Sequence, residues 1–168
     1  IILATAQGMA ICFNENDVRC MGRDAAGVRG ISLNEGDYVV GAEKMEEGKT
    51  LLTITENGYG KRTALPEHLR TGPDGEKIPQ SRGGKGLKNY NITPKTGNIA
   101  GCRVVGDNDD VMIIENGGVI IRVPAASINV YKRDVQGVIV MRVEEGNKVV
   151  SLERVEQDEE PEAQETQE

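Results

Sequence analysis

The chain has 168 residues, enough for one domain with a substantial hydrophobic core. With one Phe, four Tyr and no Trp, that core must be aliphatic, and the scarcity of aromatic residues argues against a stacking surface for single-stranded bases. The net charge of −7 argues at first against a polyanionic partner, and no apolar run approaches the roughly 20 residues that span a membrane.

The charge is unevenly distributed along the chain. Residues 153–168 hold eight acids and one base, whereas residues 1–152 hold 19 acids and 19 bases. Within that neutral body, residues 58–88 hold seven bases and three acids. We therefore expect a neutral body with a basic patch, followed by a disordered acidic tail over residues 156–168. The tail would serve solubility or compete with a polyanion for the basic patch.

Apolar, β-branched runs occur in pairs, and a glycine turn separates the two members of each pair. This pattern predicts three β-hairpins. The paired runs are residues 1–5 with 9–13, 51–55 with 59–63, and 111–115 with 119–123, and the turn glycines are Gly8, Gly58 and Gly118.

A glycine-containing segment follows each hairpin, and a further strand follows each segment. The segments are 27–31, 83–87 and 137–141, and the strands are 38–42, 99–104 and 148–152. Hairpin, segment and strand together form a unit that is repeated three times, and we call each instance a copy. Each copy offers about four strands, which predicts three propeller-like blades at residues 1–49, 50–109 and 110–155. The second copy carries six extra residues, which fall within a Gly/Pro-rich insertion at 71–80. Only short helical turns are expected, at 14–19 and 66–70.

The cysteines and the single histidine give no sign of a metal or redox site. Cys12, Cys20 and Cys102 lack paired spacing and are predicted to be buried thiols. His68 has no cysteine or carboxylate cluster near it in the sequence, so we assign it no metal. No catalytic triad order, phosphate-loop signature or nucleotide fingerprint is present.

The stretch Gln80-Ser81-Arg82-Gly83-Gly84-Lys85-Gly86 combines three glycines with two cations. Glycines permit tight turns and close backbone approach, and Arg, Lys and free backbone N–H groups are the groups that hold phosphates. Composition alone favours a glycine-rich surface turn, but the stretch recurs in altered form at a fixed place in the repeat, and it therefore suits contact with a phosphate backbone.

Three motifs together resemble the C-terminal domain of the A subunit of bacterial DNA gyrase, over residues 1–155. They are the hairpin at 55–63, the phrase Gly27-Val28-Arg29-Gly30-Ile31 and the stretch at 80–86. The resemblance implies an all-β fold called a β-pinwheel, a propeller-like ring in which strands pass between blades. It also implies a basic rim that wraps double-stranded DNA, so that the whole enzyme can introduce negative supercoils.

The same resemblance implies that this part of the chain is not catalytic and needs no cofactor, because ATP and Mg act through other domains of the enzyme. The implied partners are duplex DNA, the rest of the gyrase A subunit, and the gyrase B subunit, in the bacterial cytoplasm at the nucleoid. The DNA-cleaving tyrosine of the family lies in another part of the enzyme, so none of the four tyrosines is expected to fill that role. They are Tyr38, Tyr59, Tyr90 and Tyr131.

Two departures from the family pattern affect the prediction. The family has a defining seven-residue motif, called the box, which reads Gln-Arg-Arg-Gly-Gly-Lys-Gly. Residues 80–86 match this box except that Ser81 stands in place of the first Arg. The family's box also belongs to the first blade, whereas this stretch belongs to the middle one of three. We therefore expect the last three of six blades, with others upstream of Ile1, and we treat 80–86 as a box-like repeat.

The candidate DNA-binding residues are the cations of the three copies. They are Arg19, Arg23, Arg29, Lys61, Arg62, Arg70, Arg82, Lys85, Lys88, Arg122, Lys132 and Arg133. Two alternatives remain open at this point. One is the related decatenating enzyme, topoisomerase IV, which has a similar domain, and the other is a propeller used as a protein-interaction scaffold.

Overall fold

The structure, a computed structural model, describes residues 1–156, which form an all-β molecule with three short 3₁₀ helices. Thirteen strands are present in this part of the chain. They are β1 Ile2–Thr5, β2 Met9–Cys12, β3 Val39–Glu43, β4 Thr50–Thr55, β5 Tyr59–Ala64, β6 Arg70–Thr71, β7 Lys77–Ile78, β8 Leu87–Lys88, β9 Ile99–Val105, β10 Asp109–Glu115, β11 Ile120–Pro124, β12 Val138–Ile139 and β13 Val149–Glu156. The predicted acidic tail lies outside the described residues, except that Glu156 ends β13.

The three predicted hairpins are confirmed as the antiparallel pairs β1–β2, β4–β5 and β10–β11. The last strand of each copy pairs with the first strand of its own hairpin, as β3–β1, β9–β4 and β13–β10. The two expected helical turns are present as Glu15–Asp17 and Leu65–His68, and a third that we did not predict is Ala125–Ser127. The insertion contains a small hairpin, β6–β7, which we also did not predict.

The fourth strand of a blade comes from the copy that follows it. β8, from the second copy, pairs with β2, and β12, from the third copy, pairs with β5. The first blade is thus β3-β1-β2-β8, the second is β9-β4-β5-β12, and the third, within residues 1–156, is β13-β10-β11. The simple expectation of four strands from each copy in its own blade is therefore wrong, whereas the strand passage implied by the family resemblance is confirmed.

The incoming strand docks on the hairpin turn of the preceding copy. The carbonyl oxygen of Gly8 accepts hydrogen bonds from the amides of Asn89 and Tyr90, at 2.7 and 3.1 Å. The carbonyl oxygen of Gly58 accepts from Val140 and Met141 in the same way, at 2.9 and 3.1 Å. The two docking sites are equivalent positions of the repeat, so the exchange is a repeated feature of the fold.

Two apolar layers hold the blades together. Leu51 packs with Ile2 and Cys102 between the first and second blades, and the adjacent Leu52 packs with Leu152 between the second and third. Successive side chains of a strand point to opposite faces, so a central blade with a neighbour on each side buries both faces of β4. This explains why the adjacent residues Leu51 and Leu52, whose side chains point to opposite faces, are both fully buried.

The edge strands β3, β9 and β13 contact one another in series. Gly41 of β3 faces the thiol of Cys102, and Gly101 of β9 faces the side chain of Leu152. A Cβ atom at either glycine would collide with that neighbour, so the missing side chains permit the close approach of adjacent blades.

The buried thiols of Cys12 and Cys102 agree with the prediction, but Cys20 is exposed and the prediction for it is wrong. Cys20 lies in a part of the first copy without regular secondary structure, where few residues are covered. Across residues 1–156, no helix has the length and apolar character required to cross a lipid bilayer.

Candidate nucleic-acid interface

The two cations of β5 are buried, which contradicts their predicted contact with phosphates. Lys61 is 0% exposed and Arg62 is 6% exposed. Because β5 belongs to the central blade, both of its faces are covered, and its polar side chains are enclosed together with its apolar ones. Lys61 and Arg62 are therefore structural cations and not part of a solvent-facing surface.

The ammonium of Lys61 lies over the ring of Tyr90, with 5.1 Å between Nζ and the ring centroid. It donates hydrogen bonds to the carbonyl oxygens of Lys132 and Arg133, at 2.6 and 2.5 Å. Burial lowers the pKa of Lys61 to about 8, against a smaller opposing effect of Asp134. The two hydrogen bonds and the ring contact offset part of the free-energy cost of burying this ammonium.

Arg62 joins the second blade to the third copy. Its Nε donates to the carbonyl oxygen of Ile128 at 2.7 Å, and its guanidinium forms an ion pair with Asp107 at 2.5 Å. Its backbone amide donates to the carbonyl of Asn129, and its carbonyl accepts from the amide of Tyr131. These contacts fix the segment that leads from β11 towards β12.

The box-like stretch, Gln80–Gly86, lies against the first copy, although it belongs to the second. The amide of Gln80 donates to the carbonyl oxygen of Cys12 at 2.7 Å, and the amide of Gly83 donates to that of Gly30 at 2.8 Å. Gly86 lies so close to the backbone of Ala10 that a Cβ atom would collide with its carbonyl oxygen. The glycines of this stretch thus permit close contact between two copies.

The two cations of the box-like stretch have different environments. Arg82 is half-buried and donates from Nε to the carbonyl oxygen of Asp17 at 2.9 Å and from its guanidinium to that of Arg29 at 2.5 Å. Ser81 and Lys85 are exposed. Arg82 therefore ties the stretch to the first copy, and Lys85 is its solvent-facing cation.

The remaining candidates lie at the surface. Arg19, Arg23, Arg29, Arg70, Lys88, Arg122 and Lys132 are exposed, and Arg133 is half-buried. Arg122 forms an ion pair with Asp110 at 2.7 Å, and Arg70 donates to the carbonyl oxygen of Pro79 at 3.2 Å. The structure thus places exposed cations of all three copies on loops and on strands, with Arg122 at the centre of β11.

Two groups of candidates are brought together by contacts between copies. Arg29 and Arg82 meet where the box-like stretch covers the first copy. Arg133 donates from its guanidinium to the carbonyl oxygen of Lys88 at 2.7 Å, and Lys132 is its chain neighbour, so these three cations lie at one junction.

Arg142 is an exposed cation that the sequence analysis did not select. It follows directly after Met141, at the end of the segment that docks on the second blade, and the repeat could have indicated this position. The polar residues His68 and Asn89 were also missed as a buried pair, with 2.8 Å between Nε2 and Oδ1. Burial lowers the pKa of His68, and the hydrogen bond to Asn89 opposes this effect.

No cluster of three or more His, Cys, Asp or Glu side chains within residues 1–156 could hold a metal ion. Tyr90 is fully buried, burial raises the pKa of its hydroxyl, and that hydroxyl donates to the carbonyl oxygen of Gln136. The arrangement of exposed cations suits the binding of a polyanion.

Comparison with known proteins identifies relatives for nearly the whole chain. The sequence profile of a family described as "DNA gyrase C-terminal domain, beta-propeller" matches residues 1–44, 49–70, 75–106 and 109–156. The chain is 41% identical over 157 residues to the DNA gyrase A subunit of Staphylococcus epidermidis, and 38% identical over 155 residues to that of Escherichia coli. Each of these alignments covers 92% of this chain but only 17% of the relative.

Two solved structures share the fold. The C-terminal domain of DNA topoisomerase IV matches with a TM-score of 0.81 and 28% identity, over 92% of this chain and 46% of the other. The DNA gyrase A C-terminal domain matches with a TM-score of 0.80 and 27% identity, over 91% of this chain and 49% of the other. The chain therefore spans less than half the length of either solved domain.

Proposed function

Because the chain belongs to the DNA gyrase C-terminal domain family, we propose that it binds duplex DNA without sequence preference and helps to wrap it. In the full-length protein this wrap would support ATP-dependent negative supercoiling together with the rest of the gyrase A subunit, and with the gyrase B subunit. The cofactors ATP and Mg would act in those other parts of the enzyme.

The observation that carries the proposal is the exposure of cations from all three copies. Lysine and arginine side chains that neutralise phosphates release counterions, and this release supplies affinity for any duplex sequence. The net charge of −7 does not oppose this binding, because the excess acids all lie at 153–168, whereas residues 1–152 are neutral overall.

Wrapping requires contacts that are spread along a curved surface. Bending 20–30 base pairs by 40–90° costs roughly 1–6 kcal/mol by smooth elastic estimates. Exposed cations on successive blades can offset this bending free energy, because each blade contributes phosphate contacts further along the duplex. A single deep pocket could not do so.

A charge-matched pair of triple variants tests the proposal. One variant replaces Arg23, Lys85 and Lys132 with Ala, which removes one exposed candidate from each copy. The control replaces Lys44, Lys77 and Lys148 with Ala, which removes one exposed cation from each copy outside the candidate set. Both variants change the net charge equally.

We expect the first variant to weaken binding of unrelated duplexes to the same degree. The slope of log affinity against log salt should become shallower by up to about 0.9 for each phosphate that is no longer neutralised. The control should leave the slope close to that of the unmodified chain. Equal effects of the two variants, or a weakening confined to one DNA sequence, would contradict the proposal.

The topoisomerase IV domain remains a second candidate, because its solved structure matches as well as that of gyrase. A full-length sequence that contains the strict Gln-Arg-Arg-Gly-Gly-Lys-Gly box would decide for gyrase. A protein-interaction scaffold would show no salt-sensitive binding of duplex DNA.

A further inference from the structure

Lys61 is a buried cation whose hydrogen-bond acceptors are uncharged backbone carbonyls, with Asp134 as a nearby opposite charge. Its ammonium is fully covered, and it donates to two backbone carbonyls, those of Lys132 and Arg133. Burying an ammonium costs free energy that an apolar side chain of similar length would not cost. Burial of the Lys61 ammonium therefore lowers the stability of the fold, and the contacts of Lys61 show which part of the structure it holds in place.

The contacts of Lys61 hold a segment of the third copy against the second blade. We call residues 131–136 the strap, because they lie between the 3₁₀ helix Ala125–Ser127 and β12, the strand that completes the second blade. Lys61 holds the centre of the strap, and the hydroxyl of Tyr90 donates to the carbonyl oxygen of Gln136 at its end. The ring of Tyr90 also lies beneath the Lys61 ammonium.

The strap also contacts the first blade. Arg133 donates from its guanidinium to the carbonyl oxygen of Lys88, which lies in β8, the outer strand of the first blade. Lys61 thus holds the backbone of Arg133, and Arg133 in turn contacts Lys88. This chain of contacts connects the first blade, the second blade and the third copy at one point.

We propose that Lys61 is a positioning residue that fixes the strap so that Lys88, Lys132 and Arg133 form one phosphate-binding cluster at the junction of the blades. The proposal rests on the proposed binding of duplex DNA and deepens it, because it names the cations that act together and the residue that aligns them. Lys61 itself never touches the DNA.

Two backbone carbonyls are the reason that one buried residue can align several exposed ones. Fixing the successive carbonyls of Lys132 and Arg133 restricts two adjacent peptide planes of the strap, and these planes contain the Cα atoms that carry both side chains. Without Lys61, the two carbonyls would have to seek other donors, and the strap would move away from β5.

Lys61→Met tests the alignment, because methionine preserves most of the length and apolar volume but donates no hydrogen bond. The first readout is hydrogen exchange of the strap and of the docked amides of Val140 and Met141, without DNA. Exchange there should accelerate at least tenfold relative to the amides of β10. Unchanged exchange would overturn the proposal, whether or not the chain binds DNA.

The second readout is the salt dependence of binding to a duplex of mixed sequence. Lys61→Met should make the slope of log affinity against log salt shallower by about one to three units, since up to three cations would leave their phosphates. In a double-mutant cycle, replacing both Lys88 and Lys132 with Ala should then weaken binding little further. An unchanged slope, or effects that simply add, would show that Lys61 only supports the core.

The two proposals fail in different ways. If the unmodified chain shows no salt-dependent binding of duplex DNA, the proposed function fails, and the exchange experiment still decides whether Lys61 holds the strap. Lys61→Gln retains one donor group and should restore part of both effects. If Lys61→Met does not fold, Tyr90→Phe loosens the strap at Gln136 with the ring retained, and the same two readouts apply.

Discussion

The turn glycines provide a matched test of the strand exchange between copies. Gly58 and Gly118 occupy equivalent turns, with φ angles of 81° and 93°. A Cβ atom at Gly58 would collide with the carbonyl oxygen of Met141 in the docked segment, whereas none of the described atoms lies within 4 Å of a Cβ at Gly118. Gly58→Ala and Gly118→Ala therefore share the backbone strain, but only Gly58→Ala also blocks docking.

The structure gives the size of the expected difference. Placing Ala at a left-handed φ costs about 1–2 kcal/mol at both turns. At Gly58, displacing the segment also removes two backbone hydrogen bonds, worth about 0.5–1.5 kcal/mol each, and the burial of Met141, worth about 1.5–3 kcal/mol. Gly58→Ala should thus lower the free energy of unfolding by about 2.5–6 kcal/mol more than Gly118→Ala.

Urea unfolding followed by circular dichroism measures this difference through the midpoint and the slope of the transition. Gly8→Ala provides a second instance, because a Cβ there would lie 2.7 Å from the carbonyl oxygen of Tyr90. Hydrogen exchange at Val140 and Met141 shows directly whether the segment has left its site. If the three variants lose the same stability within about 0.5 kcal/mol, the turn glycines do not act as docking sites.

Two further predictions follow from buried titratable groups. Burial lowers the pKa of His68 below its usual value of 6.5, so the unfolded chain binds the proton more readily than the folded chain. The free energy of unfolding should therefore fall as the pH falls below 6.5, by at most about 1.4 kcal/mol per pH unit. His68→Gln should remove this part of the acid sensitivity in urea titrations at pH 5 to 7, and identical profiles would contradict it. Burial raises the pKa of Cys102 to about 12, Cys12 is also buried, and Cys20 is exposed. A thiol reagent at pH 8 should therefore label one cysteine in the folded chain and three cysteines after unfolding. Cys20→Ser should abolish the labelling of the folded chain, and rapid labelling of Cys102 would refute the described packing.

The hairpins could be predicted from the sequence because their signals are local. Each pair of strands adjoins a glycine turn at Gly8, Gly58 or Gly118, so a few residues determine the pairing. The passage of β8 and β12 into the preceding blade depends on contacts about 80 residues apart in the chain. No local pattern contains that information, and only the family resemblance indicated it.

The candidate site was predicted less well than the fold, and Lys61 shows the reason. A lysine in a sequence is assigned to the surface by default, because an ammonium is rarely buried. Lys61 lies in a strand of the central blade, and burial there depends on neighbours on both faces that the strand itself does not reveal. Arg82 illustrates the same difficulty, because the carbonyl groups that hold it belong to the preceding copy.

The borrowed strand has a consequence for the order in which the molecule can form during synthesis. The edge of β5 at Tyr59 leaves the ribosome roughly 80 residues before its partner Ile139. At about 5–20 residues per second, that edge waits about 4–16 s for the strand that completes it. During this interval the nascent chain presents an unpaired β-edge to its surroundings, as the edge of β2 does until Lys88 is made. Slower translation in the period after Tyr59 has emerged and before Ile139 has emerged should therefore increase misassembly of the chain, whereas slower translation after Ile139 has emerged should affect neither of these two edges.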